Sequence, residues 1–346
     1  MGLCLEVEFL FKNYDVLTKS KRKELFNNIQ RIENDFLKFL EQNPIENSED
    51  YELDYLKSIA RYLELNKNLF YKESSSIYGI LNIDKNIKYT GDCNQIVNLY
   101  IHLFSLENDV RSLRIKQLKD HVCLNYKDID IETTNSSFTK YDDYLYVSEV
   151  WEMIAINILD VNDYDLISSE VSANDFLMAC KICKKLSSHN KTTEHNLIVA
   201  YQKMGRHLEK IKQYKSALKF WKLVGFEKGY HEFLIRYVKH LVEQKKFSYA
   251  LKMSKKSKNN DLILFAYNHF VNNLTISKKF EKALKFAKKS KDQDLIKFVA
   301  SNYYNFLYPQ TKTDSDSKRR NILKKMYKLA IILDDQKLAR SIKNMI

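Results

Sequence analysis

Three side chains in this 346-residue sequence have the types needed for nucleophilic catalysis: Cys93, His121 and Glu132. Cys93 follows Gly91-Asp92 and precedes a run whose apolar residues at 96, 97, 99, 100, 103 and 104 trace one broad helical face. Cys93 therefore opens a buried helix. A thiol there meets the positive end of the helix dipole and unpaired backbone N–H groups, which favour the nucleophilic thiolate. Gly91, lacking a side chain, lets the backbone approach closely just ahead of it. A nucleophile of this kind needs a base, and the base needs a group to orient it.

Both come from a stretch where the apolar period switches from helical to two: Leu113 to Leu118, His121 to Tyr126, and Ile129 to Thr134. Lys127-Asp128 forms the turn between the last two strands. An even-length turn there pairs 121 with 134, 123 with 132 and 125 with 130, so His121, Cys123, Asp130, Glu132 and Thr134 share a face. Glu132 is the diagonal neighbour of His121, whereas Asp130 lies about 7 Å further along the strand. Glu132 is thus the expected third member.

Gly-x-Cys opening a helix, His on a strand, and an acid followed by Thr on the next strand together resemble the transglutaminase-like superfamily, whose core is related to papain-like cysteine proteases. The likeness spans roughly residues 50–140. It implies Cys93 as nucleophile, His121 as general base and Glu132 as the acid that orients it, with Glu132 standing where the family usually carries Asp. It also implies an oxyanion site made by the Cys93 N–H and one upstream side chain, for which Tyr89 is the candidate, beside Gly91. The helical lead-in from Tyr51 to Leu81 is similar in order to bacterial members of the superfamily.

The elements that position these residues should be mostly helical, since two prolines and six glycines leave few obligatory breaks and 45% apolar content supports a real core. Helices are expected through Leu25 to Phe39, from Tyr51 to Leu65, and from Leu69 to Leu81, with Pro44 and the acidic stretch 46–52 between the first two. Helices resume near 170, and a 33-residue repeat follows: Tyr214-x-x-Ala217-Leu218, Phe247-x-x-Ala250-Leu251 and Phe280-x-x-Ala283-Leu284. A constant period of this length signals stacked helical hairpins. The aromatic-x-x-Ala-Leu helix resembles tetratricopeptide repeats, without their closing proline. Residues 309–320 read as an exposed loop before a capping helix from Asn321. The expected fold class is mainly α with a small α+β core: a transglutaminase-like domain with a short antiparallel sheet in 1–165, then an α-helical hairpin array (α-solenoid) in 166–346.

Charge divides the chain as well. Residues 200–346 hold 34 Lys and Arg against 12 Asp and Glu, a balance of +22 against −9 for the rest. The basic part suits an acidic protein or peptide, with nucleic acid as the alternative, since Tyr and Phe interleave with Lys from 201 to 304. The odd number of sparsely spread cysteines, five, fits free thiols in the cytoplasm. Gly2 and Cys4 lack the Ser or Thr of a dual-acylation start, so Cys4 reads as a buried helix residue. Cys180-x-x-Cys183 has no second Cys pair, and His189 and His195 do not complete a zinc set. No stretch is apolar enough to span a membrane, and no phosphate-cradling glycine loop or metal motif occurs, so neither cofactor nor metal is expected. Two functions of different kinds follow: acyl transfer or amide hydrolysis on a protein or peptide recruited by the repeats, or a non-catalytic scaffold of the same architecture. RNA binding by the basic repeats is a third.

Overall fold

A computed structural model describes residues 1–11, 19–64, 67–73, 76–83, 88–159, 172–313 and 315–346. It divides into two compact units, Met1–Val224 and Gly225–Ile346. The boundary expected at 165/166 lies outside the described residues.

In the first unit, α1 (Gly2–Phe11), α2 (Lys19–Gln42) and α3 (Tyr51–Leu63) precede the elements that carry Cys93, His121 and Glu132. Asp50 caps α3 by accepting from Leu53 N. The helix expected from Leu69 to Leu81 is instead strand β1 (Leu69–Tyr71) followed by a short helix α4 (Ile77–Leu81). The reason is non-local. Leu69–Tyr71 pairs in parallel with β2 (Tyr89–Gly91), and Lys72 N donates to the Gly91 carbonyl at 2.9 Å. Ser76 then caps α4, and the buried Glu8 of α1 accepts from the N–H groups of Ile77 and Tyr78.

Helix α5 (Cys93–Phe104) leads into the antiparallel sheet of β3 (Leu113–Gln117), β4 (Val122–Tyr126), β5 (Ile129–Glu132), β6 (Ser137–Thr139) and β7 (Tyr146–Glu149). Their order is β6-β5-β4-β3-β7. The hairpin register is the expected one: Asn125 faces Asp130 and Tyr126 faces Ile129, with Lys127 at φ 54° making the turn. Helix α5 packs on β4, and Ile96, Val97, Leu99, Tyr100, Leu103 and Phe104 are fully buried, as their spacing requires. After α6 (Met153–Ile158), helices α7 (Ala173–Leu186), α8 (Lys191–Lys210) and α9 (Tyr214–Val224) complete the unit. These are the first helices expected of the array. Contacts of α1 with α7, including Phe11 stacked on Phe176 at 4.5 Å, tie them to the first unit.

The second unit is a row of helices: α10 (Glu227–Glu243), α11 (Phe247–Ser254), α12 (Asn260–Ile276), α13 (Phe280–Ser290), α14 (Gln293–Leu307), α15 (Asp316–Ile332) and α16 (Gln336–Lys343). Each packs on its neighbour in sequence, and α10, α12 and α14 also touch in order. The loop expected over 309–320 is shorter than that, because Ser315 caps α15, which therefore starts at Asp316 and not at Asn321.

The 33-residue period recurs in the backbone. Lys212, Lys245 and Lys278 are all left-handed, at φ 61°, 55° and 55°, where α8, α10 and α12 end. At each, the next residue's N–H reaches back to Leu208, Leu241 or Leu274, closing the same left-handed helix cap. Gly225, Lys258 and Lys291 form a second left-handed series with the same spacing, and Ala217, Ala250 and Ala283 are all fully buried. Glycine is the usual residue for such caps, and a side chain there costs about 1 kcal/mol. Replacing Lys245 or Lys278 by Gly is therefore expected to raise stability by about 0.5–1 kcal/mol in urea unfolding, and no gain would mean the caps are unstrained.

Candidate active site

The start of α5 is fixed from several sides. Asp92 accepts from Asn94 N at 2.9 Å, and Gln95 Oε1 accepts from Asp92 N at 2.9 Å, a reciprocal cap just ahead of Cys93. Gln95 Nε2 also donates to Asn157 Oδ1 of α6 at 2.7 Å, and Asn157 Nδ2 donates to Cys4 Sγ of α1 at 3.4 Å. The close approach expected at Gly91 is present: a Cβ there would stand 3.1 Å from Gln95 Cβ and 3.2 Å from Ile80 Cδ1. Any larger residue would push the cap away from β2.

His121 sits at the mouth of β4, where its carbonyl accepts from Leu118 N at 2.8 Å and closes the turn from β3. Its Nε2–H donates to Glu132 Oε2 at 2.7 Å. The other ring nitrogen is left for Cys93. Hydrogen bonding with Cys93, then with Glu132, raises the imidazole pKa to about 10, so His121 is charged at neutral pH.

Glu132 is almost wholly buried and collects four hydrogen bonds. Thr134 N and Thr134 Oγ1 donate to Oε1 at 3.1 and 2.6 Å, while His121 and the Tyr141 hydroxyl, at 3.1 Å, donate to Oε2. Burial pushes this carboxyl up, but the bonds from His121 and Thr134 outweigh it and hold it below the ordinary carboxylate value. Cys93, His121 and Glu132 are thus brought together in the order the sequence suggests.

Tyr89 is not part of this group. Its ring is fully buried and its hydroxyl lies 2.7 Å from that of Tyr62, which donates to Asp35 at 2.8 Å. Strand β2 alternates, so Tyr89 and Gly91 both face the core. The phenol near Cys93 is Tyr71, opposite Gly91 in the β1–β2 pair; burial and then the charges of Cys93 and Asp92 push it up. Asp130 serves a different purpose from Glu132. It is fully buried, and it pairs with Lys116 Nζ at 2.6 Å and accepts from Tyr141 N at 2.7 Å, while Lys116 also donates to the Tyr141 carbonyl at 2.9 Å. Tyr141 is therefore anchored through its backbone on one ion pair while its hydroxyl supports another.

Cys93 and His121 open on a cleft of about 310 Å3, lined also by Asn94, Gln117, Leu145 and, from α8, Thr192 and Asn196. Cys93 is partly accessible, whereas Cys4, Cys123, Cys180 and Cys183 are buried. Burial pushes Cys123 and Cys183 up to about 12 and raises Cys4 and Cys180 as well. Among the described residues no group of His, Cys, Asp and Glu could hold a metal ion, and no helix is long and apolar enough to cross a membrane. No known protein family, curated protein or solved structure matches the chain.

The His121 pairing makes a pH-dependent contribution to stability. Its pKa rises from 6.5 to about 10 on folding, so the stabilisation is fully present below pH 6.5 and is lost as pH rises through about 10. The stability gap between the wild-type chain and His121→Ala should therefore shrink steadily over that range in urea titrations; a pH-independent gap would contradict the pairing. Tyr141→Phe removes one donor to Glu132 and is expected to change the His121 pKa, read by NMR titration, by about one unit or less, with the fold intact. Loss of the His121–Glu132 contact altogether would give a larger drop.

Proposed function

We propose that the first unit is a transglutaminase-like cysteine acyltransferase or amide hydrolase. The observation that supports this most is the His121–Glu132 pair beside a half-buried Cys93, with the imidazole held charged between a thiol and a carboxylate. In this reading the Cys93 thiolate attacks an amide carbonyl carbon, and the electron pair of the C=O bond moves onto oxygen. The Cys93 backbone N–H at the start of α5 would donate to that oxyanion, with the Tyr71 phenol as the candidate second donor. As the C–N bond breaks, His121 gives its proton to the leaving amine, and the acyl group stays on sulfur as a thioester. Water or a second amine then attacks the thioester, His121 takes the incoming proton, and the thiolate is restored. Glu132 keeps Nε2 protonated and the ring aligned throughout.

The 33-residue units of residues 200–346, read as a tetratricopeptide-like α-solenoid, would recruit the protein or peptide substrate. Their balance of +22 favours an acidic partner, and the setting that suits five free thiols is the cytoplasm.

The test is iodoacetamide labelling as a function of pH, mapped to single cysteines by mass spectrometry. Cys93 is expected to react below about pH 8, where an ordinary thiol is mostly protonated, and to slow by roughly tenfold or more in His121→Ala. The four buried cysteines should label only on unfolding. If Cys93 is inert until denaturation, the catalytic reading falls and the architecture is a binding scaffold.

A further inference from the structure

Strand β7 ends the sheet, with β3 on one side and, among the described residues, no strand on the other. Free strand edges template the pairing of other chains, and proteins usually blunt them with lysine, proline or a bulge that turns the edge away. The edge Tyr146-Val147-Ser148-Glu149 contains no lysine or proline. It is flanked and faced by apolar groups in water: Tyr144 is 48% exposed, Leu145 63%, Val147 38% and Trp151 45%. A period of two sets Leu145 and Val147 on one side of the strand, while Ser148 turns inward to accept from Gln117 Nε2. The opposite edge differs. Strand β6 is three residues long, and its exposed positions are Ser137 and Thr139.

The apolar edge is continuous with the Cys93 cleft. Leu145 belongs to both, and its N–H donates to the Gln117 carbonyl at 2.8 Å, so the ladder of β3 and β7 begins at the cleft wall that Gln117 helps to form. Glu149 N–H already donates to Glu152 Oε1 at 3.2 Å, so Tyr146–Ser148 offer about 10 Å of edge, enough to fix the direction of an added strand. Beyond it, a cleft of about 310 Å3 takes a short length of chain and not a folded domain.

We infer that the substrate presented to Cys93 is an extended peptide with apolar residues at alternate positions, bound by strand addition to the free edge of β7 and continuing into the cleft. Main-chain hydrogen bonds supply the pairing, and Leu145 and Val147 select side chains on every second residue. This rests on Cys93 being the nucleophile, so docking and reactivity are measured separately.

A randomised octapeptide library is captured on the immobilised full-length Cys93→Ala chain and the retained peptides are sequenced, with iodoacetamide labelling of the wild-type chain alongside. The expected result is enrichment of alternating apolar sequences whose affinity falls tenfold or more on N-methylation of alternate amides, or with Leu145→Lys and Val147→Lys in the capturing chain. Both positions are exposed, so circular dichroism should report an unchanged fold. Slower amide hydrogen exchange at 146–148 on peptide binding would support the same conclusion. No enrichment, or binding that survives N-methylation and both lysine substitutions, overturns strand addition even where Cys93 is reactive. Strand-like binding with an unreactive Cys93 keeps the docking edge and removes the acyl-transfer reading.

Discussion

A buried carboxylate is among the more expensive groups a protein can hold, and Glu132 organises its surroundings accordingly. Left uncompensated, it would take up a proton and lose its hold on His121. Four donors prevent that, and they come from three places: the mouth of β4, the residue pair after β5, and the segment between β6 and β7. The hairpin register and the course of the segment after β6 are therefore conditions for keeping one charge. The three elements meet at the carboxylate, and the imidazole orientation is a product of that meeting.

The Lys116–Asp130 pair, with Asp130 two residues before Glu132 on β5, has the same character and a complementary role. Replacing such a pair with apolar residues is often neutral or better for stability, so its presence calls for some use besides cohesion. Here the use is directional. The two groups grip the N–H and the carbonyl of Tyr141, which fixes the phenol over Glu132 and sends the chain onward to Leu145 at the cleft. A sheet edge and the Glu132 carboxylate are thus set by adjacent buried charges.

The placement of Cys93, His121 and Glu132 was legible in sequence because they sit on elements whose periods are clear. The helical face after Cys93 and the even turn at Lys127-Asp128 fix where Cys93, His121 and Glu132 fall, and the observed register agrees. What stayed hidden depends on long-range pairing. Leu69–Tyr71 carries no local sign that it will pair with residues some twenty positions on, so it reads as helix, and Tyr71 is lost from the site with it. Strands β6 and β7 span three and four residues, too short for a period of two to register. Tyr141 reaches Glu132 only because the chain doubles back after β6, and no spacing rule encodes that return. The misassignment of Tyr89 has the same origin, since which face of β2 points inward is decided by its parallel partner. In the helical half, the repeat was legible from Ala-Leu spacing, whereas the left-handed lysines were not, because lysine is not a residue that announces such a conformation.

Helix α1 has a temporal consequence. Its apolar residues Cys4, Leu5, Val7 and Phe11 are buried, yet α7, against which Phe11 stacks, begins about 160 residues later in the chain. At ribosomal speeds that separation corresponds to roughly 8–32 s of synthesis. During that interval Cys4 and Leu5 have Leu25 and Ile29 of α2 to pack on, but Phe11 lacks its ring partner, and the Cys4–Asn157–Gln95 chain that steadies the cap before Cys93 cannot close. Maturation of the cysteine end of the site is thereby delayed until the helices beyond the sheet have emerged, which keeps a nascent thiol from being assembled before its surroundings.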